Sequence, residues 1–347
     1  MAPRRFLESH DRSYDFCRTY LVLGMIFAHT FSWYYCGTYY NCLLIMFQCG
    51  FIYMAGFTSA VLYSQKLSDH PKQIRTKLFT RFYQFMALFI LLNLFICTMR
   101  PERLYTLTHA YSLPDIVFRI IILRENANLI SFEMLVPIAF TCLFSWFLIR
   151  SFRPRISLLL ALFLILSLFL IEATGRFNYY GIRFIIIGLI GCLTGIFVST
   201  LPWDKVKTRL MAPSLLLAVC LTIIVYLSLN YIFREEQRPI FYSVHVTFAV
   251  LNLLFAYQVA EKLQLAYDGI FSRLFSILGE RMLFVYVVHL MIIYLLSGFI
   301  GMHTYSFFHT IAIAGGIILA TAGVCHFVIV SSIRYPLVKN AYLLFFK

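Results

Sequence analysis

The sequence predicts an all-α, polytopic membrane protein, and three observations carry that prediction. Of its 347 residues, 61% are hydrophobic and only 13% charged, and the mean hydropathy is +0.82. That is too apolar for a soluble core wrapped in a polar shell. Apolar runs near twenty residues recur along the whole chain, each long enough to cross a hydrocarbon layer of ~30 Å. The ~10-residue alternation of a transmembrane β-barrel does not occur.

Ten spans follow, at about 17–36, 42–63, 82–98, 129–149, 156–172, 184–201, 211–232, 240–260, 282–301 and 307–332. The first has a basic, polar stretch before it and no small-residue cleavage site after it, so it reads as a retained helix rather than a signal peptide. Pro137 and Pro154 mark helix starts or kinks in the fourth and fifth spans. Between the spans the loops are short, apart from 99–128 on the outer side and 261–281 on the inner side. Each of these has an apolar stretch suited to the interface. No soluble domain of useful size remains, and 1–347 reads as a single integral-membrane domain.

A net charge of +14 would, in a soluble protein, raise nucleic acid as a partner, but its distribution answers the question. With the N-terminus in the cytoplasm, 21 of the 29 Lys and Arg fall on inner segments and 8 on outer ones. The positive-inside rule produces that asymmetry. Both termini are therefore expected in the cytoplasm, together with loops 64–81, 150–155, 202–210 and 261–281. Membrane lipids are the expected surroundings, and no nucleic-acid partner is expected. The nine cysteines show no CxxC or His/Cys zinc spacing. Most lie in spans as small apolar packing residues; Cys36 and Cys42 bracket the first outer loop and are read first as packing residues, with a bridge between them as the alternative if that side is oxidising. No metal and no permanently bound cofactor is expected.

The first span holds the most informative pair, Arg18 and His29. Eleven helical steps bring the chain back to within ~20°, so both lie on one face about 16 Å apart along the axis. Ionisable groups inside a membrane are costly and mark a path or a site. Asp15, three residues before Arg18 on the same face, is placed either to orient the guanidinium as an ion pair or simply as a helix-start acid.

Three further patterns stand beside Asp15-Phe-Cys-Arg18 and His29. The second span carries Phe-Ile-Tyr-Met-Ala-Gly-Phe over 51–57. A basic run, Arg75, Lys77 and Arg81, leads into the third span. Near the C-terminus comes Leu-Gly-Glu-Arg-Met-Leu-Phe-Val-Tyr-Val-Val-His over 278–289. In that order the chain resembles the acyltransferase-3 family of membrane-bound glycan O-acyltransferases, from about 11 to 340. Ala55 stands where that family usually has Ser, and the basic run departs from a plain Arg-x-x-Arg. The resemblance implies a bacterial inner-membrane, multi-pass enzyme. It would use acyl-CoA, most commonly acetyl-CoA, as donor and acylate a glycan or lipid-linked sugar.

The residues support the same chemistry. Moving an acyl group from a thioester to a sugar hydroxyl needs a base for the hydroxyl proton and a positive or hydrogen-bonding group at the developing oxyanion. His29 is the expected base, with a local partner selecting its free ring nitrogen. Arg18 either snorkels to the headgroups or contacts the donor's phosphates, for which a planar guanidinium is well shaped. Arg75, Lys77 and Arg81 serve topology and are candidates for the same phosphates. Glu133 is placed to hydrogen-bond sugar hydroxyls, to pair with Arg124 or to act as a plain interfacial acid. Tyr286 and His289 would line the same cavity or pack as core residues. Two readings of other kinds stand against the enzyme. A secondary transporter or flippase should show paired repeats with broken helices, and no such symmetry is found. A scaffold needs no aligned Arg and His. An acyltransferase acting on an amino sugar or a lipid is the nearest enzymatic alternative.

Overall fold

The computed structural model describes residues 12–35, 38–64, 70–99, 132, 134–151, 153–173, 180–201, 208, 242–263, 278–279, 281–300 and 305–346. Among them are ten helices and no strand: α1 Arg12–Tyr34, α2 Thr38–Ser64, α3 Pro71–Met99, α4 Leu135–Ser151 and α5 Pro154–Ala173. The others are α6 Tyr180–Val198, α7 Tyr242–Leu263, α8 Met282–Ile300, α9 Phe307–Arg334 and α10 Pro336–Phe346. Seven of them (α2, α3, α5, α6, α7, α8 and α9) are long and apolar enough to cross a membrane. The protein is a multi-pass, all-α membrane protein. Shorter by comparison, α4 is an apolar helix of 17 residues. The more polar α1 covers the first predicted span, and the predicted span 211–232 lies outside the described residues.

Proline decides several boundaries. Pro71, Pro154 and Pro336 each occupy the first position of a helix, where the missing N–H would have had no intrahelical partner anyway. The residue before a proline is pushed out of the α region. Accordingly Tyr335, at φ −118° and ψ 109°, closes α9, its N–H bonding to the Ser331 carbonyl. Pro137 sits in the first turn of α4, where it costs no helical hydrogen bond. Three limits differ from the sequence expectation. The basic stretch read as the end of a loop is helical from Pro71, so the third span is the later part of a 29-residue helix. The fourth helix begins at Leu135 instead of 129. An eleven-residue helix, α10, follows the last span. Hydropathy windows respond to apolar content, and they end a span where charges begin even when the helix continues.

The chain forms two compact units: residues 1–51, 202–240 and 244–347, and residues 52–201 with 241–243. In the first unit, α1 packs on α8 and α9, and α9 carries α10. Polar bonds tie α1 to α7: Tyr20 Oη donates to Asn252 Oδ1 at 2.8 Å, and Ser13 Oγ donates to Glu261 Oε1 at 2.6 Å. The start of α9 is capped by Ser306, whose side chain accepts from the His309 N–H.

In the second unit, α3 packs on α4, α4 on α6, and α6 on α5. Lipid tails offer no hydrophobic drive between helices, so close backbone approach has to supply the packing. Gly56 of α2 lies against the Gly188 carbonyl of α6, and Gly191 lies against the Tyr53 carbonyl. A side chain at either position would meet backbone, which cannot swing aside. Elsewhere in this unit α5 and α3 show apolar faces, with Leu159 67% and Phe163 62% exposed on α5 and Leu94 58% on α3, as lipid-facing helices must.

A prediction follows from these contacts. Gly56→Val or Gly191→Leu overpacks this helix pair and lowers stability by about 1–3 kcal/mol or more, read as a lower thermal midpoint of the purified protein. Gly316→Ala of α9, with nothing within 4 Å of the added methyl, is tolerated.

Candidate functional site

The first unit gathers most of the residues that the sequence singled out. Its α1 is one unbroken helix from Arg12 to Tyr34, so the helical register between Arg18 and His29 is kept. At its first turns Asp15 is buried and its carboxylate lies 3.6 Å from Arg18 Nη1. The distance is that of an ion pair rather than a short hydrogen bond. The Arg18 guanidinium also lies over the Tyr14 ring, 4.4 Å from its centroid, a cation–π placement. With 20% of its side chain exposed, Arg18 is held in place on its own helix. Both placements open to Asp15 are present: it pairs with Arg18 and it lies in the first turn of α1.

Close to this pair, α1 meets the segment before α8. A side chain at Gly279 would run into the Asp15 carbonyl and the Thr19 hydroxyl. Only a glycine lets the 278–289 motif come this near to the Asp15-Phe-Cys-Arg18 motif. Two sequence patterns more than 250 residues apart thus lie against each other, and the contact explains why a glycine stands there.

Deeper along α1, His29 faces α8. Its ring centroid is 5.6 Å from that of His289, with 43° between the ring planes. His289 is completely buried, and its Nδ1 lies 3.0 Å from the Val285 carbonyl one turn earlier. A carbonyl oxygen only accepts, so Nδ1 carries the hydrogen and Nε2 is the nitrogen open to a second partner. That Nε2 and the Nε2 of His29 are both buried, and neither has a hydrogen-bond partner among the described residues. Buried polar atoms are nearly always bonded, so two orphans on facing rings call for an explanation. Tyr286 meets His289 edge-on at 5.6 Å and is itself packed against Phe51 at 5.4 Å, so aromatic rings back one side of His289. The partner that selects a ring nitrogen, expected for His29, is found on His289.

The basic residues belong to the second unit. Arg75 and Lys77 are exposed on the first turns of α3, and Arg81 is half-buried one turn further. Glu133 lies outside the described residues, as do Arg124, residues 100–128 and the side chains of Cys36 and Cys42. Among the described residues no group of three or more His, Cys, Asp or Glu comes together as a metal site.

Sequence reasoning passed over Asn252 and Glu261, which anchor α1 through Tyr20 and Ser13. The available signal was a polar side chain inside the apolar run of α7, the same signal that selected His29. No protein-family model, curated protein or solved structure matches the chain.

Proposed function

We propose that the protein is a membrane-bound O-acyltransferase, similar to the acyltransferase-3 family. It transfers a short acyl group, acetyl in the simplest case, from acyl-CoA to a sugar hydroxyl of a glycan or lipid-linked sugar. The observation that carries the reading is the facing pair of imidazoles, His29 and His289, each with a buried Nε2 that has no partner among the described residues. An acceptor hydroxyl reaching this pair loses its proton to His29 as its oxygen attacks the thioester carbonyl carbon. The C–S bond breaks, the new ester forms, and the proton passes to the departing CoA thiolate. His289, oriented by Val285, keeps the pair in register. Arg18, steadied by Asp15 and Tyr14, contacts the donor. Arg75, Lys77 and Arg81 draw the anionic donor to the cytoplasmic face. Tyr286 and Glu133 are assigned to the acceptor. The setting is the bacterial inner membrane, with ten spans and both termini in the cytoplasm.

Two experiments test this proposal. Purified protein in vesicles should transfer labelled acetyl from acetyl-CoA to membrane glycan, and surface glycans from cells lacking the gene should lose an acyl mass. Absence of any acyl product in both would remove the enzyme reading and favour the transporter. Topology is tested separately: single cysteines at positions 70 and 207 should resist an impermeant thiol reagent in intact cells, and one within 99–128 should label. Labelling at position 70 or 207 would invert the arrangement.

A further inference from the structure

In the second unit, the first two turns of α3 and the last two turns of α4 line an open pocket of about 330 Å³, formed by Pro71, Lys72, Arg75, Trp146 and Arg150. That volume is within the range of small-molecule sites, and three of the five lining residues are cations. Antiparallel packing creates it. Phe82 meets Phe140 ring to ring at 5.5 Å, so going back along α3 means going forward along α4, and Arg75 arrives beside Arg150. Lys72 and Arg75 are spaced three apart and share a side of the helix. Arg150 lies 5.9 Å from the Trp146 ring.

Two physical facts make this more than a topology signal. Positive side chains are gathered at the start of a helix, where the macrodipole also opposes them. No carboxylate among the described residues pairs with Lys72, Arg75 or Arg150. An anion in the pocket relieves both repulsions. In addition, α3 has 29 residues, about 43 Å of helix, against ~30 Å of hydrocarbon. Its first turns therefore extend to headgroup level, where a tryptophan is also at home.

The geometry points to a binding site for a phosphate ester, held by Lys72, Arg75 and Arg150 against the Trp146 wall. The phosphate belongs either to an anionic lipid headgroup or to a soluble nucleotide. Because Arg75 is also assigned to the donor's phosphates, the soluble-ester arm rests on the acyl-transfer reading, whereas the lipid arm does not.

The test uses the full-length protein in nanodiscs of mixed phosphatidylglycerol and phosphatidylcholine. Retained lipid is read by native mass spectrometry, and adenosine 3′,5′-bisphosphate binding by equilibrium dialysis. At about fivefold per cation near an anionic lipid, the Lys72→Gln, Arg150→Gln variant should lose phosphatidylglycerol preference by roughly 30-fold. Lys72→Gln alone, at an exposed position, should lose about fivefold and leaves the fold unchallenged. The charge-preserving Lys72→Arg, Arg150→Lys variant should retain binding. If bisphosphate binding falls while lipid retention holds, the site stands and its ligand is the soluble ester. Unchanged binding of both probes in the Gln variants overturns the site. So does equal loss in the charge-preserving variant, because shape and not charge would then be responsible.

Discussion

A His29→Ala protein should insert and bind acyl-CoA, yet acylate its glycan acceptor about 10²–10⁴-fold more slowly, the range for a missing general base. The expectation rests on a buried Nε2 with no partner among the described residues, facing a second imidazole in the same condition. Single-turnover transfer of labelled acetyl in proteoliposomes separates this loss from weaker donor binding. His289→Ala should cost less, because its assigned work is to position the pair through the bond to Val285. Full activity in His29→Ala beside a dead His289→Ala would move the base to α8. Its Nε2 already has the open lone pair, so the chemistry would survive on the other ring. If neither substitution changes any acyl product, the enzyme reading loses its support.

Removing the proposed donor contacts should have the second largest effect. In an Arg18→Gln, Arg81→Gln double variant, acyl-CoA affinity should fall by about 10–100-fold, on the scale of losing hydrogen bonds to charged groups. Raising ionic strength should weaken the wild-type affinity in the same direction, since exposed charge contacts are screened within ~8 Å at physiological salt. One control is essential. Arg18→Gln removes an ion-pair partner of the buried Asp15 carboxylate, which destabilises α1 whatever the donor does. The same double variant carrying Asp15→Asn removes that penalty. Equilibrium binding of acyl-CoA to the triple variant, unchanged from wild type, would end the assignment of Arg18 and Arg81 to the donor.

Much of the architecture was legible from local pattern. Apolar length announces a span because a single helix satisfies its own backbone in lipid, with no help from distant residues. Pro71, Pro154 and Pro336 announce helix starts because the ring constrains its own φ and its neighbour. The pairing of Asp15 with Arg18 was readable for the same reason, as residues three apart on a helix are neighbours wherever the helix goes. Windowed hydropathy missed the charged first turns of α3, since it registers charge while the backbone registers hydrogen bonds, and it began α4 too early, since apolar content alone does not make a helix.

What determines the candidate site is long-range, and no periodicity contains it. Asp15 and Gly279 touch because α1 and the segment before α8 pack side by side, and a missing Cβ is what allows it. His29 and His289 were separate suspects in the sequence, one read as a base and the other as an equally plausible core residue. Their juxtaposition, and the choice of ring nitrogen made by Val285, exist only once two helices far apart in the chain are in contact. The pocket of Lys72, Arg75 and Arg150 arises in the same way from the antiparallel run of α3 and α4. By itself the sequence determined a helical, multi-pass membrane protein with charged groups buried in its first span, because lipid imposes that on each segment separately. Tertiary structure alone decided which buried groups face each other, because helix partners are chosen by close packing between distant segments.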